Sequence, residues 1–289
     1  MAPQSKIAVV TGANKGIGLA IVRNLALDYP KSPLNRGPLT IYLTARSQER
    51  GAEAIKSLNA DNALKQAGVL QEGRTTITFA TLDISQTKSI QSFRDFLKSE
   101  HPDGIDILIN NAAVALQGFD SNVVKDTLET NYYGTLEAMQ DLLPLVRDGG
   151  RVVNVCSMAG SLSKYSAELK EAFHDAVGED VPAVTALMEK FKRDVGDGKE
   201  KERGWPSAAY AVSKAGEIAM TKVMAREEEG RGRGVLINAC CPGYVNTDMT
   251  KGKGTKTPDE GAKTPVMLAL QDIGGKTGLM WQTEKEVQW

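Results

Sequence analysis

Short runs of apolar, β-branched residues alternate along this chain with longer stretches whose apolar residues recur at helical spacing. The short runs predict seven strands, at residues 6–11, 40–44, 75–82, 105–110, 151–156, 235–240 and 278–281. The longer stretches predict helices at residues 16–26, 49–66, 87–98, 123–146, 207–228 and 258–270. Strands that alternate with such helices are typical of a parallel sheet covered on both faces. The pattern therefore predicts one doubly wound α/β domain over residues 1–289.

Two segments interrupt the alternation. Residues 29–38 contain three prolines and a glycine, which predicts a loop before the second strand. Residues 161–206 follow the fifth strand and carry apolar residues at helical spacing: Leu169, Phe173, Ala176, Val177, Val184, Leu187, Met188 and Phe191. We predict an insertion of two amphipathic helices, ended by a charged loop at 196–203. A disordered insertion is the alternative, which this spacing disfavours.

Composition and charge narrow the classes of function. The chain has 35 basic and 36 acidic residues, a balance that disfavours a nucleic-acid or membrane-surface protein. The N-terminal residues lack the apolar core of a signal peptide, and no stretch approaches the ~20 apolar residues of a membrane span. We therefore expect a cytoplasmic enzyme or binding protein.

The cysteines Cys156, Cys240 and Cys241 all lie at the ends of predicted strands. An odd number with two neighbours disfavours a disulfide framework, and the spacing matches no common zinc pattern, so we expect reduced thiols and no metal site. Cys241 directly precedes Pro242-Gly243 at the end of the sixth strand. It is either a thiol whose alkylation impairs substrate binding or a buried, inert thiol.

The first predicted strand runs into the sequence TGANKGIG at residues 11–18, and a helix follows at once. Glycines there permit a tight turn and let backbone N–H groups approach a pyrophosphate, while the helix N-terminus adds a positive dipole. This position favours the dinucleotide site of a Rossmann fold over a plain turn. The candidate contacts are Gly12, Asn14, Lys15, Gly16, Ile17 and Gly18.

The second strand ends in Ala45-Arg46, where folds that prefer NAD usually place an acidic residue. Arg46, Arg50 and Lys15 instead provide three cations without an acid. Arginine binds phosphate through two hydrogen bonds, so these residues predict a site for the 2′-phosphate of NADPH. Arg50 is equally compatible with an ordinary solvated position at a helix start.

Polar or small residues also follow the third and fourth strands. Asp83, before Ile84, is either a helix cap or a contact to the adenine amino group, because ligands bind at the carboxyl ends of the strands. Asn111 and Ala112 follow the fourth strand and suit a cofactor that passes close to the backbone.

Tyr210 and Lys214 are four residues apart, and so they share one face of a predicted helix. A tyrosine of pKa ~10 is a poor acid at neutral pH, and a neighbouring ammonium lowers that pKa. Ser157, just past the fifth strand, is placed to hydrogen-bond a substrate oxygen. A Tyr–Lys pair alone is usually ordinary surface, but the dinucleotide loop, strand-end serine and helical pair occur together in this order. We expect these residues to be catalytic.

Taken together, these motifs resemble those of the short-chain dehydrogenase/reductase superfamily across essentially the whole chain. The matching features are Gly12-x-x-x-Gly16-x-Gly18, Asn110-Asn111-Ala112, Asn131, Ser157, Tyr210-x-x-x-Lys214 and Pro242-Gly243. The segments TGANKGIGLAIVRNL, LTAR, NACCPGYVNTDM and VQW, with the insertion, are similar to the monomeric cytosolic NADPH-dependent carbonyl reductases. The chain departs from the pattern at Ala113, where glycine is commoner, and at Tyr244, where tryptophan is frequent.

The resemblance implies a role for individual residues. Asn131 would hold a water of the proton relay, Lys214 would bind the nicotinamide ribose, and Thr247 would contact the cofactor amide. The other implied cofactor contacts after the sixth strand are Pro242, Gly243 and Val245. The implied substrate contacts are Ser157, Met158, Tyr210, Tyr244 and Met249.

The expected reaction is hydride transfer from NADPH to ketones, aldehydes or quinones of broad range. One alternative is a reductase of the same fold with a single sterol or polyketide ketone as substrate. Another is an NADP(H)-sensing protein without turnover, which the Ser157–Tyr210–Lys214 set disfavours. We also expect a monomer, because the insertion would cover the helix faces through which superfamily members commonly associate. The insertion could instead form a lid over the substrate mouth and leave that surface bare.

Overall fold

In the computed structural model, which describes residues 5–71 and 73–289, eight strands form one sheet within these residues. Their order is β3-β2-β1-β4-β5-β6-β7-β8. The strands are β1 (Lys6–Val10), β2 (Leu39–Ala45), β3 (Thr75–Thr81), β4 (Ile105–Asn110), β5 (Val146–Val155), β6 (Leu236–Cys241), β7 (Met280–Gln282) and β8 (Lys285–Val287). The first seven pair in parallel, as the alternating pattern predicts.

The sheet has an eighth strand, so the prediction of seven strands is wrong by one. This strand returns antiparallel to β7 through Thr283 and Glu284, both of which adopt a positive φ. Such two-residue turns usually carry Asn-Gly or a related pair, and this one does not. Lys285 and Glu286 are also exposed, so this edge strand shows neither an apolar run nor a turn motif.

The helices are α1 (Gly16–Asp28), α2 (Gln48–Ala60), α3 (Asn62–Ala67), α4 (Thr87–Glu100), α5 (Ser121–Leu128), α6 (Thr135–Leu142), α7 (Ala167–Gly178), α8 (Val181–Gly196), α9 (Ala209–Gly230) and α10 (Pro258–Leu270). The loop predicted at 29–38 begins with a 3-10 turn, Tyr29–Lys31.

Two stretches that the sequence predicts as single helices are interrupted in the structure. The one at 49–66 is divided at Asp61, whose carboxylate accepts a hydrogen bond from the Leu64 N–H and so caps α3. The one at 123–146 consists of α5, a π-helical turn (Glu129–Gly134), α6 and a 3-10 turn (Leu143–Leu145). Each interruption is short compared with the stretch over which apolar spacing is judged, so the apolar pattern does not reveal either one.

The two faces of the sheet carry separate apolar cores. One lies beneath α1, α2, α3 and α10, and the other beneath α4, α5, α6 and α9. The two helices predicted for the insertion are present as α7 and α8, and they extend the second core with buried Phe173, Met188 and Phe191. In the last turn of α8, the buried Asp194 accepts hydrogen bonds from Trp205 and Arg203, which tie the charged loop to the helix.

The strand order reverses at β1, which pairs with β2 on one side and β4 on the other. In a doubly wound sheet, the crevice at this reversal lies outside the carboxyl ends of the strands and is the usual ligand site. The glycine-rich loop leaves β1 there, and residues 111–116 leave β4 beside it.

Candidate active site

The glycine-rich loop between β1 and α1 packs tightly against the end of β4. Gly12 has a φ of +61°, and a Cβ there would lie 2.7 Å from the Ala112 Cα. A Cβ on Gly18 would lie 2.5 Å from the Asn111 Nδ2. Glycine is therefore required at both positions for the loop to lie against the end of β4.

A set of hydrogen bonds fixes the same loop. The backbone N–H groups of Asn111 and Ala112 donate to the Thr11 Oγ1 over 2.9 and 3.0 Å. The Asn111 amide also donates to the carbonyls of Thr11 and Gly12. Asn111 and Ala112 thus hold the glycine-rich loop in place through these hydrogen bonds. Thr11 was missed by the sequence analysis, although its place directly before the first glycine was an available signal.

The N-terminus of α1 presents its backbone N–H groups toward this crevice. Within the described part of the chain, no side chain caps the helix and no acidic residue lies in its first turn. Asn14 and Ile17 are half-buried around the turn. Such an end suits an anion, because its N–H groups and dipole both favour negative charge.

Arg46 and Arg50 are exposed just beyond β2, and neither forms an ion pair with a residue that the structure describes. Lys15 behaves differently: its Nζ lies 2.6 Å from Asp248 Oδ2, across the loop. This hydrogen bond lowers the pKa of Asp248. Both side chains are solvated, and an exposed pair of this kind contributes little to stability, so the lysine remains free to exchange partners.

Asp83 is half-buried at the end of β3. Its Oδ1 accepts hydrogen bonds from the Ser85 N–H and the Ser85 hydroxyl, over 3.0 and 2.7 Å. The N-cap of α4 is Gln86, so the helix-cap alternative for Asp83 is wrong. Ile84 is buried, with its carbonyl against Gly134.

Tyr210 and Lys214 lie one turn apart at the start of α9. The Lys214 Nζ is 5.7 Å from the centre of the Tyr210 ring and donates to the Val155 carbonyl over 3.1 Å. Burial raises the pKa of Tyr210, whereas the Lys214 ammonium and the neighbouring Ser157 hydroxyl lower it. Burial prevails, which corrects the expectation that the ammonium would bring this pKa below its usual value.

Asn131 lies in the π-helical turn and is fully buried. Its side chain accepts from the Val114 N–H over 2.8 Å and donates to the Val114 carbonyl and to the Ser213 hydroxyl. Ser213 in turn donates to the Tyr210 carbonyl. The turn thus brings Asn131 against the helix that carries Tyr210, and π-helical turns are frequent at such sites.

Glu217 is a buried acid that the sequence analysis missed. Its Oε2 lies 2.9 Å from the Lys214 Nζ, and the two side chains are 3% and 2% exposed. Burial raises the pKa of Glu217 to about 7, against the opposing effect of Lys214. The signal was present, because an acid three residues after a lysine shares its helical face.

The segment that follows β6 faces the glycine-rich loop. Thr247 lies beside Gly16, with 3.3 Å between its Cγ2 and the place of a Gly16 Cβ, and Val245 is buried. Pro242 and Gly243 form the turn that leads into this segment, and Gly243 has a positive φ.

Apolar side chains are exposed along the same edge. Tyr244 and Met249, which the sequence predicts as substrate contacts, are 52% and 43% exposed. Leu116, after β4, is 42% exposed and was not predicted. Met158 is different, because it is half-buried against the cluster of Cys156 and Cys241 rather than exposed.

All three cysteines are buried and unpaired. The Cys241 Sγ accepts a hydrogen bond from the Gly243 N–H, and its burial favours the inert alternative for this thiol. Within residues 5–71 and 73–289, no group of three or more histidine, cysteine or acidic side chains is arranged to hold a metal ion. Among the helices described there, none combines the length and hydrophobicity needed to cross a bilayer.

The model of the short chain dehydrogenase family matches residues 6–169 and 198–258. The chain belongs to this family. The unmatched residues 170–197 coincide with most of α7 and α8, so this short-chain dehydrogenase carries an insertion that the family model lacks.

Two groups of proteins are similar to this short-chain dehydrogenase over essentially its whole length. Carbonyl reductase [NADPH] 1 of Mus musculus is 38% identical over an alignment of 300 positions, which covers 100% of both chains. The protein of that name from Bos taurus is 39% identical with the same coverage. Among solved structures, salutaridine reductase from Papaver somniferum is 28% identical with a TM-score of 0.81, over 96% of this chain and 99% of that one.

Proposed function

We propose that this short-chain dehydrogenase is a cytoplasmic, NADPH-dependent carbonyl reductase with a broad range of ketone, aldehyde and quinone substrates. The observation that carries the proposal is the Tyr210 phenol, which lies near the Ser157 hydroxyl and the Lys214 ammonium at the carboxyl edge of the sheet. Relatives of 38–39% identity along the whole chain bear the name carbonyl reductase [NADPH] 1, which supports the same activity.

The residues around the crevice fit a phosphorylated dinucleotide. The glycine-rich loop and the uncapped start of α1 would hold the pyrophosphate, because both present backbone N–H groups to it. Arg46, with Arg50, would bind the 2′-phosphate, and Asp83 with Ile84 would lie at the adenine. The remaining contacts would come from Asn111, Ala112, Lys214 and the segment with Pro242, Gly243, Val245 and Thr247.

When bound, NADPH supplies the hydride for the carbonyl carbon. Ser157 and Tyr210 would hold the carbonyl oxygen by hydrogen bonds, which become stronger as negative charge develops there. Tyr210 would then transfer its phenolic proton to that oxygen. Because burial raises the pKa of Tyr210, the phenol holds this proton at neutral pH. Lys214 would bind the nicotinamide ribose, and Asn131 would hold a relay water that returns a proton to Tyr210.

The exposed apolar side chains support a permissive substrate site. Tyr244, Met249 and Leu116 together offer exposed apolar surface at this edge. Methionine adapts its shape readily, which suits substrates of different outline. Met158 would add to this surface from the turn after Ser157.

The test is oxidation of NADPH by the purified protein across a panel of chemically mixed ketones, aldehydes and quinones. We expect turnover of several classes, and Tyr210→Phe should lower it about 100-fold or more because the ring remains but the proton donor is lost. NADPH binding by this variant, measured by fluorescence titration, should be unchanged. Activity on a single sterol or polyketide ketone would establish the narrow reductase instead. NADPH binding without any turnover would establish a sensor, and an active Phe variant would refute the role of Tyr210.

A further inference from the structure

A buried carboxylate is paired with the lysine that lies beside the proton donor of this site. Glu217 follows Lys214 by three residues on α9, and its Oε2 accepts a hydrogen bond from the lysine Nζ over 2.9 Å. Neither side chain is more than 3% exposed. The other carboxylate oxygen, Oε1, has no hydrogen-bond partner among the residues that the structure describes. A buried charge with one oxygen unsatisfied is costly, so this acid is not explained by stability alone.

Few other ionisable groups approach this pair. Directly after β5, the Cys156 thiol donates to the Glu217 Oε2 over 3.9 Å, and burial raises the pKa of this thiol well above its usual value. Burial likewise raises the pKa of Cys240, on β6. These thiols stay neutral near pH 7, so Lys214 and Glu217 supply the charges near Tyr210. The titratable groups of this cluster are Cys156, Tyr210, Lys214, Glu217, Cys240 and Cys241.

We propose that Glu217 is a positioning residue that offsets the field of Lys214 at the Tyr210 phenol and so sets the pH range of the reaction. The inference deepens the proposed function and rests on it for its kinetic test. An ammonium alone would favour release of the phenolic proton, whereas an ammonium paired with a carboxylate presents almost no net charge. Glu217 therefore keeps Tyr210 protonated to higher pH, which favours carbonyl reduction over alcohol oxidation.

The direction of the expected pH shift follows from the protonation state of Tyr210 that each reaction needs. Reduction requires the phenol and declines as the pH rises through the pKa of Tyr210, whereas alcohol oxidation requires the phenolate. In Glu217→Gln, the amide oxygen can still accept from Lys214, so the ammonium keeps a partner but loses its counter-charge. Because Glu217 acts from its ion pair with Lys214 and not from direct contact with the phenol, the pKa of Tyr210 should then fall by about one pH unit, the low end of the roughly 1–3 units that a nearby charge causes.

The direct experiment is a pH titration of the cofactor-free protein with ¹³C-labelled tyrosine, followed by NMR. Tyr210→Phe identifies the Tyr210 resonance by its loss. We expect the midpoint of this resonance in Glu217→Gln to lie about one pH unit below that of the unaltered protein. The alkaline decline of kcat/KM for reduction should move by the same amount, and the two proteins should converge at acid pH, where Glu217 is itself protonated.

Glu228→Gln is the matched control, because Glu228 is another buried, ion-paired glutamate on α9, held by Arg231 and Arg233. It should leave the Tyr210 midpoint unchanged. If the buried amide of Glu217→Gln prevents folding, Glu217→Met removes the charge at similar length without an unpaired polar group. A midpoint that stays in place or rises in the Glu217 variants overturns the inference. The NMR midpoint needs no turnover, so a downward shift in a protein that reduces no carbonyl would contradict only the proposed function.

Discussion

Arg46 and Arg50 follow β2 as exposed guanidinium groups that form no ion pair with other residues of the described chain. The residue before them, Ala45, is buried and carries no polar group for a ribose hydroxyl. Both arginines that the sequence predicts as phosphate contacts are therefore exposed and available to bind a 2′-phosphate.

Arg46→Asp should erode or reverse the preference for NADPH over NADH. A hydrogen bond to a charged group is worth about 1.5–3 kcal/mol, so the affinity for NADPH should fall roughly tenfold or more. Fluorescence titration of the two cofactors measures this. Arg36→Asp is the control, because it changes the net charge equally on the loop that precedes the other end of β2. Equal dissociation constants of NADPH and NADH for the unaltered protein would refute the prediction.

At the scale of elements, the π-helical turn between α5 and α6 places a polar side chain inside an apolar core. Asn131 satisfies both backbone groups of Val114 and the hydroxyl of Ser213, and so it joins the strand-end loop to α9. A regular helix through these residues would rotate the side chains that follow and break this arrangement.

Asn131→Ala should lower the free energy of unfolding by about 1–3 kcal/mol, because buried groups on Val114 and Ser213 lose their partner. Turnover should fall as well, since the relay water would lose its holder. Denaturant unfolding and steady-state kinetics give the two values. Asn154→Ala is the control: Asn154 is equally buried and bonded, to Asn110 and Thr221. Equal losses of turnover in both variants would mean that Asn131 acts only through stability.

At the scale of the whole molecule, the insertion covers one side of α9. The Met188 Sδ would lie 2.6 Å from a Cβ on Gly216, and the Tyr132 hydroxyl meets the Thr185 hydroxyl over 2.8 Å. Arg226 on α9 donates to the carbonyl of Glu179, between the two inserted helices. The insertion is therefore bound to α9 and to the π-helical turn, whose outer faces it covers.

We expect the protein to be a monomer in solution, with a mass near the 31.1 kDa of one chain. The reason is that α7 and α8 bury the apolar stripe of α9 that a partner subunit would otherwise cover. Light scattering at micromolar concentration measures the mass. A value near twice the chain mass would show that the insertion does not prevent assembly.

The fold was largely predictable because most of its parts have a local signal. Apolar runs marked the seven parallel strands, and glycines marked the loop after β1. The apolar spacing of Phe173, Met188 and Phe191 also marked the inserted helices correctly. The breaks at Asp61 and at the π-helical turn left no such signal, because each is short compared with the stretch over which apolar spacing repeats.

The sequence alone determined the family, the parallel sheet and the order of glycine loop, serine, tyrosine and lysine, since each depends on residue type and spacing. The tertiary structure decided the electrostatics of the site. Burial, which no spacing reveals, raises the pKa of Tyr210 despite Lys214, and it turns Glu217 from a residue on a helix face into a counter-charge. The tertiary structure also decided the partner of Lys15. Asp248 lies far away along the chain and comes close only where the segment after β6 meets the glycine loop. Such contacts arise when distant segments are packed together and share one region of low dielectric.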